Sequence, residues 1–110
     1  MQFRSVCITT NNAPRLADFY AAVFLASPQI DGSHYAFGNL SVWDPGDVQT
    51  ADCNNTWLTF SDGNIDALYA RLLRSIPDIR ILVPPERKPW GAYAFWFLDP
   101  DGNKISVFQE

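Results

Sequence analysis

The chain has 110 residues, 47% of them hydrophobic and 15% aromatic, with 8 basic against 12 acidic side chains and a net charge of −4. That is the size of one globular domain or of two half-domain modules, and it is too apolar for a disordered chain. A pI near 4.7 without a basic stripe excludes phosphate-driven nucleic-acid binding. No apolar run approaches the ~20 residues of a bilayer span, and the first residues lack a secretory pattern, so a cytoplasmic protein with no membrane partner is expected.

Residues 3–10, FRSVCITT, are rich in β-branched side chains and stop at Asn11-Asn12, which predicts a first strand. Asn12 suits a helix N-cap, with Pro14 in the first turn. Leu16, Phe19, Tyr20, Val23 and Phe24 then recur at helical spacing and predict a helix over about 13–25, ending before Pro28. Residues 34–38 and 39–44 read as two short strands meeting at Gly38-Asn39. Residues 45–55, PGDVQTADCNN, have no apolar period and read as a linker.

A second cycle follows. Residues 56–61, TWLTFS, alternate as a half-buried strand, and 62–64, DGN, form a turn. Ile65, Leu68, Tyr69, Leu72 and Leu73 predict a helix over about 64–75. A short strand over 79–83, a proline-rich loop over 84–91 and an apolar strand over 92–98 come next. The turn DPDGN over 99–103 leads into a last strand over 104–109.

The order β-α-β-β-β thus occurs twice. The fold predicted is α+β, one domain over 1–110 made of module 1 (about 1–50) and module 2 (about 55–110). Leu40-Ser41-Val42-Trp43 echoes Ile105-Ser106-Val107-Phe108. Each module has a sheet with a helix on one face, and a pocket is expected between the two sheets. Cys7 and Cys53 form no CxxC pair, so neither zinc nor redox chemistry is indicated. Cys7 reads as a small buried side chain, and the expected compartment argues against a disulfide.

Three stretches carry a resemblance: Ser5–Thr9 running into Arg15–Tyr20, Trp57–Phe60 running into Ile65–Leu68, and Phe95–Ile105 with its DPDGN turn. Together they resemble the vicinal oxygen chelate superfamily of glyoxalase I, bleomycin-resistance and fosfomycin-resistance proteins and extradiol dioxygenases. The resemblance implies a glyoxalase/bleomycin-resistance-type fold with a cavity between curved sheets. It also implies a divalent metal held by His, Gln and Glu. Those ligand positions fall on Ser5, Ser41, Trp57 and Ser106, which are poor ligands or none. The whole chain has one histidine, His34, and two glutamates, Glu86 and Glu110. No metal and no other cofactor are therefore expected, and metal-dependent catalysis loses its Lewis acid.

Strand parity from the same alignment turns Ser5, Cys7 and Thr9 inward. It does the same for Trp57, Thr59 and Ser61, for Lys104, Ser106 and Phe108, and for Ala94, Trp96 and Leu98. Ser41 brings Trp43, and His34 and Ala36 face the same way. The predicted ligand-binding residues are His34, Trp43, Trp57, Trp96, Ser5, Ser41 and Ser106, with Trp90 at the rim and no catalytic residue. The indoles stack a planar ligand and the hydroxyls orient it; the rival reading is that the rings fill a dead site as core. His34 reads as polar lining rather than a general base. Arg87 and Lys88 read as a solvated loop rather than an anion clamp, and Asp99 and Asp101 as turn builders rather than a catalytic pair.

The expected function is metal-independent binding of a small aromatic or cationic compound, such as an antibiotic in a resistance role, by a homodimer. The alternatives are a glyoxalase-class lyase or isomerase, or a dioxygenase-like enzyme, with unconventional ligands such as His34 and Glu110, and an interaction protein whose cavity is packed shut.

Overall fold

The computed structural model describes residues 1–47 and 56–110, so most of the predicted linker, and Cys53 within it, lies outside the described residues. The chain divides into two compact units, Met1–Asp52 and Cys53–Glu110.

In the first unit the elements are β1 (Val6–Thr9), α1 (Ala13–Phe24), β2 (Gln29–Asp31), β3 (His34–Phe37) and β4 (Leu40–Trp43). Asn12 caps α1 as predicted: its side chain accepts from the Arg15 amide at 3.2 Å. The helix ends at Phe24, and Leu25 turns the chain out with φ of 52°. Leu16, Phe19, Tyr20 and Val23 form its buried face. It packs on β3 and β4, where Leu40 and Val42 are buried, as is Ile8 of β1. Fully burying such a side chain is worth about 1.5–3 kcal/mol, so this face holds the helix to its sheet.

The sheet order is β1-β4-β3-β2, with β1 and β4 parallel and the other pairs antiparallel. The first strand is shorter than predicted: residues 3–5 are exposed and Ser5 precedes it. β2 is three exposed residues with a single apolar side chain, Ile30, too few to show a period in the sequence. It forms through pairing with β3 across a turn in which Gly32 takes φ of +61°.

The second unit repeats this plan with β5 (Trp57–Asp62), α2 (Ile65–Ser75), β6 (Arg80–Arg87), β7 (Tyr93–Leu98) and β8 (Lys104–Gln109), in the order β5-β8-β7-β6. Asn64 caps α2 by accepting from the Ala67 amide at 3.1 Å. Ile65 and Leu72 are fully buried on the helix, and Phe95, Phe97 and Ile105 on the sheet. The rings of Tyr69 and Phe95 meet edge to face at 5.3 Å.

β6 corrects the sequence reading. The strand continues through Pro84-Pro85 to Arg87 where a loop was predicted. It is an edge strand, and its register with β7 shifts between Ile81 and Val83 and between Val83 and Glu86. Prolines are tolerated at such edges and bulges because no ladder bond needs their missing N–H.

The DPDGN turn is built as predicted, with Gly102 at φ of +91° and its amide donating to the Asp99 carbonyl at 3.0 Å. The architecture is α+β: two four-stranded sheets, each from one βαβββ module.

Candidate functional site

The residues of the second sheet that point away from α2 form rows across the strands. Thr59, Ser106 and Trp96 lie in one row, Ser61, Phe108 and Ala94 in the next, and Trp57 and Lys104 in the row on the other side. Alternation places the large helix-facing side chains Phe95 and Phe97 on the opposite face. A concave pocket of about 470 Å³ opens on this surface, lined by Trp57, Thr59, Trp90, Ala92, Ala94, Trp96, Ser106 and Phe108. Small side chains make its floor and rings make its walls.

Trp57 and Trp96 reach over β8 and meet edge to face, with centroids 5.0 Å apart. Trp57 is 46% exposed and Trp90 is 70% exposed, so these indoles are not core. On the floor, Ser106 Oγ donates to Thr59 Oγ1 at 3.2 Å. Three residues of the predicted set, Trp57, Trp96 and Ser106, are thus brought together, along with the rim residue Trp90.

His34, Trp43 and Ser41 lie on the first unit's sheet. Register aligns His34 with Trp43 and Ala36 with Ser41 on β3 and β4, and Cys7 with Ser41 on β1 and β4. The His34 and Trp43 rings stack at 4.8 Å with 14° between planes. Trp43 Nε1 donates to Ser33 Oγ at 3.0 Å. Cys7 is exposed, not buried as predicted, because Ile8 takes the inward position under the helix. Its sulfur lies 4.0 Å from His34 Nε2. Ser5, ahead of β1, is exposed.

Lys88 was missed. The sequence places it in a proline-rich stretch, which reads as solvated loop, yet it is 5% exposed. Its ammonium lies 2.9 Å from Glu86 Oε1 and 4.0 Å from the centroid of Trp96. A basic residue between prolines carries no local signal of burial, because the ring that covers it comes from the neighbouring strand. Arg87 is structural: its guanidinium donates to the Gly91 carbonyl at 2.7 Å. Glu110 accepts from Ser61 Oγ at 2.6 Å.

The metal of the superfamily's enzymes does not fit these residues. The positions that the resemblance assigns to its ligands hold the hydroxyls of Ser5, Ser41 and Ser106, which are poor ligands for a hard divalent cation, and the indole of Trp57, which is none. Among the described residues, no group of three or more His, Cys, Asp or Glu side chains is arranged to hold one. Among them, too, no helix is long and apolar enough to cross a membrane.

Known structures share this fold. A protein of unknown function from Agrobacterium tumefaciens is 24% identical, with a TM-score of 0.85 over 100% of this chain and 94% of that one. TioX from Micromonospora sp. ML1 is 16% identical, with a TM-score of 0.77 over 99% of this chain and 98% of that one. A member of the glyoxalase/bleomycin resistance protein/dioxygenase superfamily from Sphaerobacter thermophilus is 23% identical, with a TM-score of 0.72 over 100% and 98%. No curated protein matches the chain. The model of the glyoxalase-like domain family matches residues 24–110, which is most of the sequence, and the chain belongs to that family.

Proposed function

We propose that this chain is a metal-independent small-molecule-binding protein of the glyoxalase/bleomycin-resistance type. It holds a planar aromatic compound, with antibiotics among the candidate classes, and works as a homodimer. The observation that carries the reading is the pocket of the second unit: rings on its walls, small side chains and two hydroxyls on its floor, and no imidazole, carboxylate or thiol among its lining residues. Such a surface stacks and orients a ligand but supplies no acid, base or nucleophile of ordinary strength. Within a single chain Trp57 and Trp90 are exposed, so the chain's own core does not bury these rings.

The test is a titration with a neutral planar probe, acetylnaphthalene, followed by tryptophan fluorescence and by melting temperature. Quenching is expected, and probe at one hundred times its Kd should add about 2.7 kcal/mol of stability. Trp57→Ala should weaken binding about tenfold while costing well under the ~3–5 kcal/mol of a core aromatic. No quenching, together with a core-sized loss of stability in Trp57→Ala, would return the rings to packing. An enzyme with unconventional ligands would instead purify with stoichiometric metal. We expect well under one equivalent by elemental analysis, and a melting temperature unmoved by EDTA.

A further inference from the structure

Lysine is almost never buried unless it is paired, because its ammonium gives up strong hydration. Lys88 is buried at the turn from β6 into β7, where its amide donates to the Ala92 carbonyl at 2.7 Å and its carbonyl accepts from the Gly91 amide at 2.9 Å. Its Nζ sits 4.0 Å from the Trp96 ring centroid, while Lys104 Nζ lies 5.8 Å from that of Trp57. Both indoles that form the edge-to-face pair in the pocket therefore already carry an ammonium nearby.

Resting on the reading of this pocket as an aromatic-ligand site, we propose that it selects by charge. It takes planar aromatic acids, carboxylates or phenolates, in preference to aromatic cations, and Lys88 is the specificity-determining residue. Lys88 is not among the residues lining the pocket, so it acts through Trp96 and through its field. The negative face of an indole is what attracts a cation. An ammonium held against Trp96 draws on that same electron density, so a cationic ligand meets a depleted ring and a like charge behind it.

Glu86 and Glu110 oppose this field. Glu86 pairs with Lys88, and Glu110 bonds Ser61 beside Phe108. Glu86 has 56% of its side chain exposed against 4% for Lys88. Water therefore screens the carboxylate far more than the ammonium, and the positive field is the one that persists inside the sheet. The floor adds to the preference. Thr59 Oγ1 accepts from Ser106 and keeps its own proton to donate to an acceptor atom on the ligand.

Three naphthalenes with planar substituents of similar size test this by tryptophan quenching at neutral pH: naphthoate, neutral acetylnaphthalene and the naphthamidinium cation. Naphthoate should bind at least tenfold tighter than the cation, with the neutral probe between them. If no probe binds, the pocket reading falls and this inference with it. If the neutral probe binds but the cation equals or exceeds naphthoate, the pocket reading stands and the charge selection is overturned.

Lys88→Met should reduce the anion-to-cation ratio to below threefold, and Lys88→Arg should keep it; an unchanged ratio in Lys88→Met overturns the role of Lys88. Lys88→Gln, whose amide can still bond the Glu86 carboxylate, carries the test should Lys88→Met fail to fold. It removes the positive charge and should likewise bring the ratio below threefold, and an unchanged ratio overturns the field argument.

Discussion

The carboxylate of Asp99 accepts from the amides of Asp101 and Asn103, both at 2.9 Å, and from Asn103 Nδ2 at 2.8 Å. Its backbone carbonyl accepts from Arg80 at 2.7 Å. One fully buried side chain thus fixes the turn that sends β7 back into β8. Hydrogen bonds to a charged acceptor are the stronger kind, and their loss leaves buried donors unmet. Asp99→Ala should cost about 3 kcal/mol in urea unfolding, whereas a change within experimental error would mean the turn forms without it. Tyr93 offers a spectroscopic reading of another single contact. Its hydroxyl donates to Asp66 Oδ1 at 2.6 Å, tying β7 to the first turn of α2. That hydrogen bond, then desolvation and the charge of Asp66, raise its pKa above 10.0, while Arg87 pulls it down. The folded state favours the neutral phenol. The contribution is therefore complete below the ordinary tyrosine range and is lost as pH rises through the higher folded value. An ultraviolet titration should show a late-ionising tyrosine that Asp66→Asn brings back toward 10.0; no movement would show that the bond is not held in solution.

Helices were legible to within a residue because their start signals are local. Asn12 and Asn64 each stand one residue ahead of the first helical position, and each accepts from an amide of the first turn. Asn64→Ala should therefore cost about 1 kcal/mol by thermal or urea unfolding, the usual worth of an N-cap side chain. An unchanged stability would show that helix packing alone sets the start of α2. Strands were legible where alternation is strong. On β5 it turns Trp57, Thr59 and Ser61 to the exposed face and Leu58 and Phe60 to the covered one. Strands were missed where the signal is not in their own residues. β2 exists because β3 offers it a partner, and β6 runs through two prolines because it lies at an edge with an irregular register. The candidate site divides the same way. Trp57, Trp96 and Ser106 could be placed on one surface from strand parity, while the burial of Lys88 depends on Trp96, across the β6–β7 turn.

Across the whole molecule the two units obey one register. In each, the first strand pairs parallel with the last, so that Cys7 faces Ser41 as Thr59 faces Ser106. The antiparallel pairs extend the correspondence: Ala36 lies opposite Ser41 where Trp96 lies opposite Ser106. Continuing the register, Ser5 matches Trp57, and Trp43 matches Phe108. The repeat was legible in the echo of LSVW and ISVF, but its chemistry has diverged. The positions that hold the paired indoles in the second unit hold a serine and an alanine in the first. Each helix covers one face of its sheet, and on the uncovered face of the second unit Trp57, Trp90 and Phe108 stay exposed. Contiguous apolar exposure of this kind on a small domain marks a surface meant to be covered, by a ligand, a partner or both. The homodimer proposed above would cover such faces with a second copy, and a two-fold pairing closes on itself without leaving further faces free. Light scattering at micromolar concentration should then give twice the 12.4 kDa of the chain. Dilution toward the dissociation constant should lower the melting temperature, since the pairing stabilises the folded state by mass action. A mass of one chain throughout that range, with a melting temperature independent of concentration, would leave the exposed rings to the ligand alone.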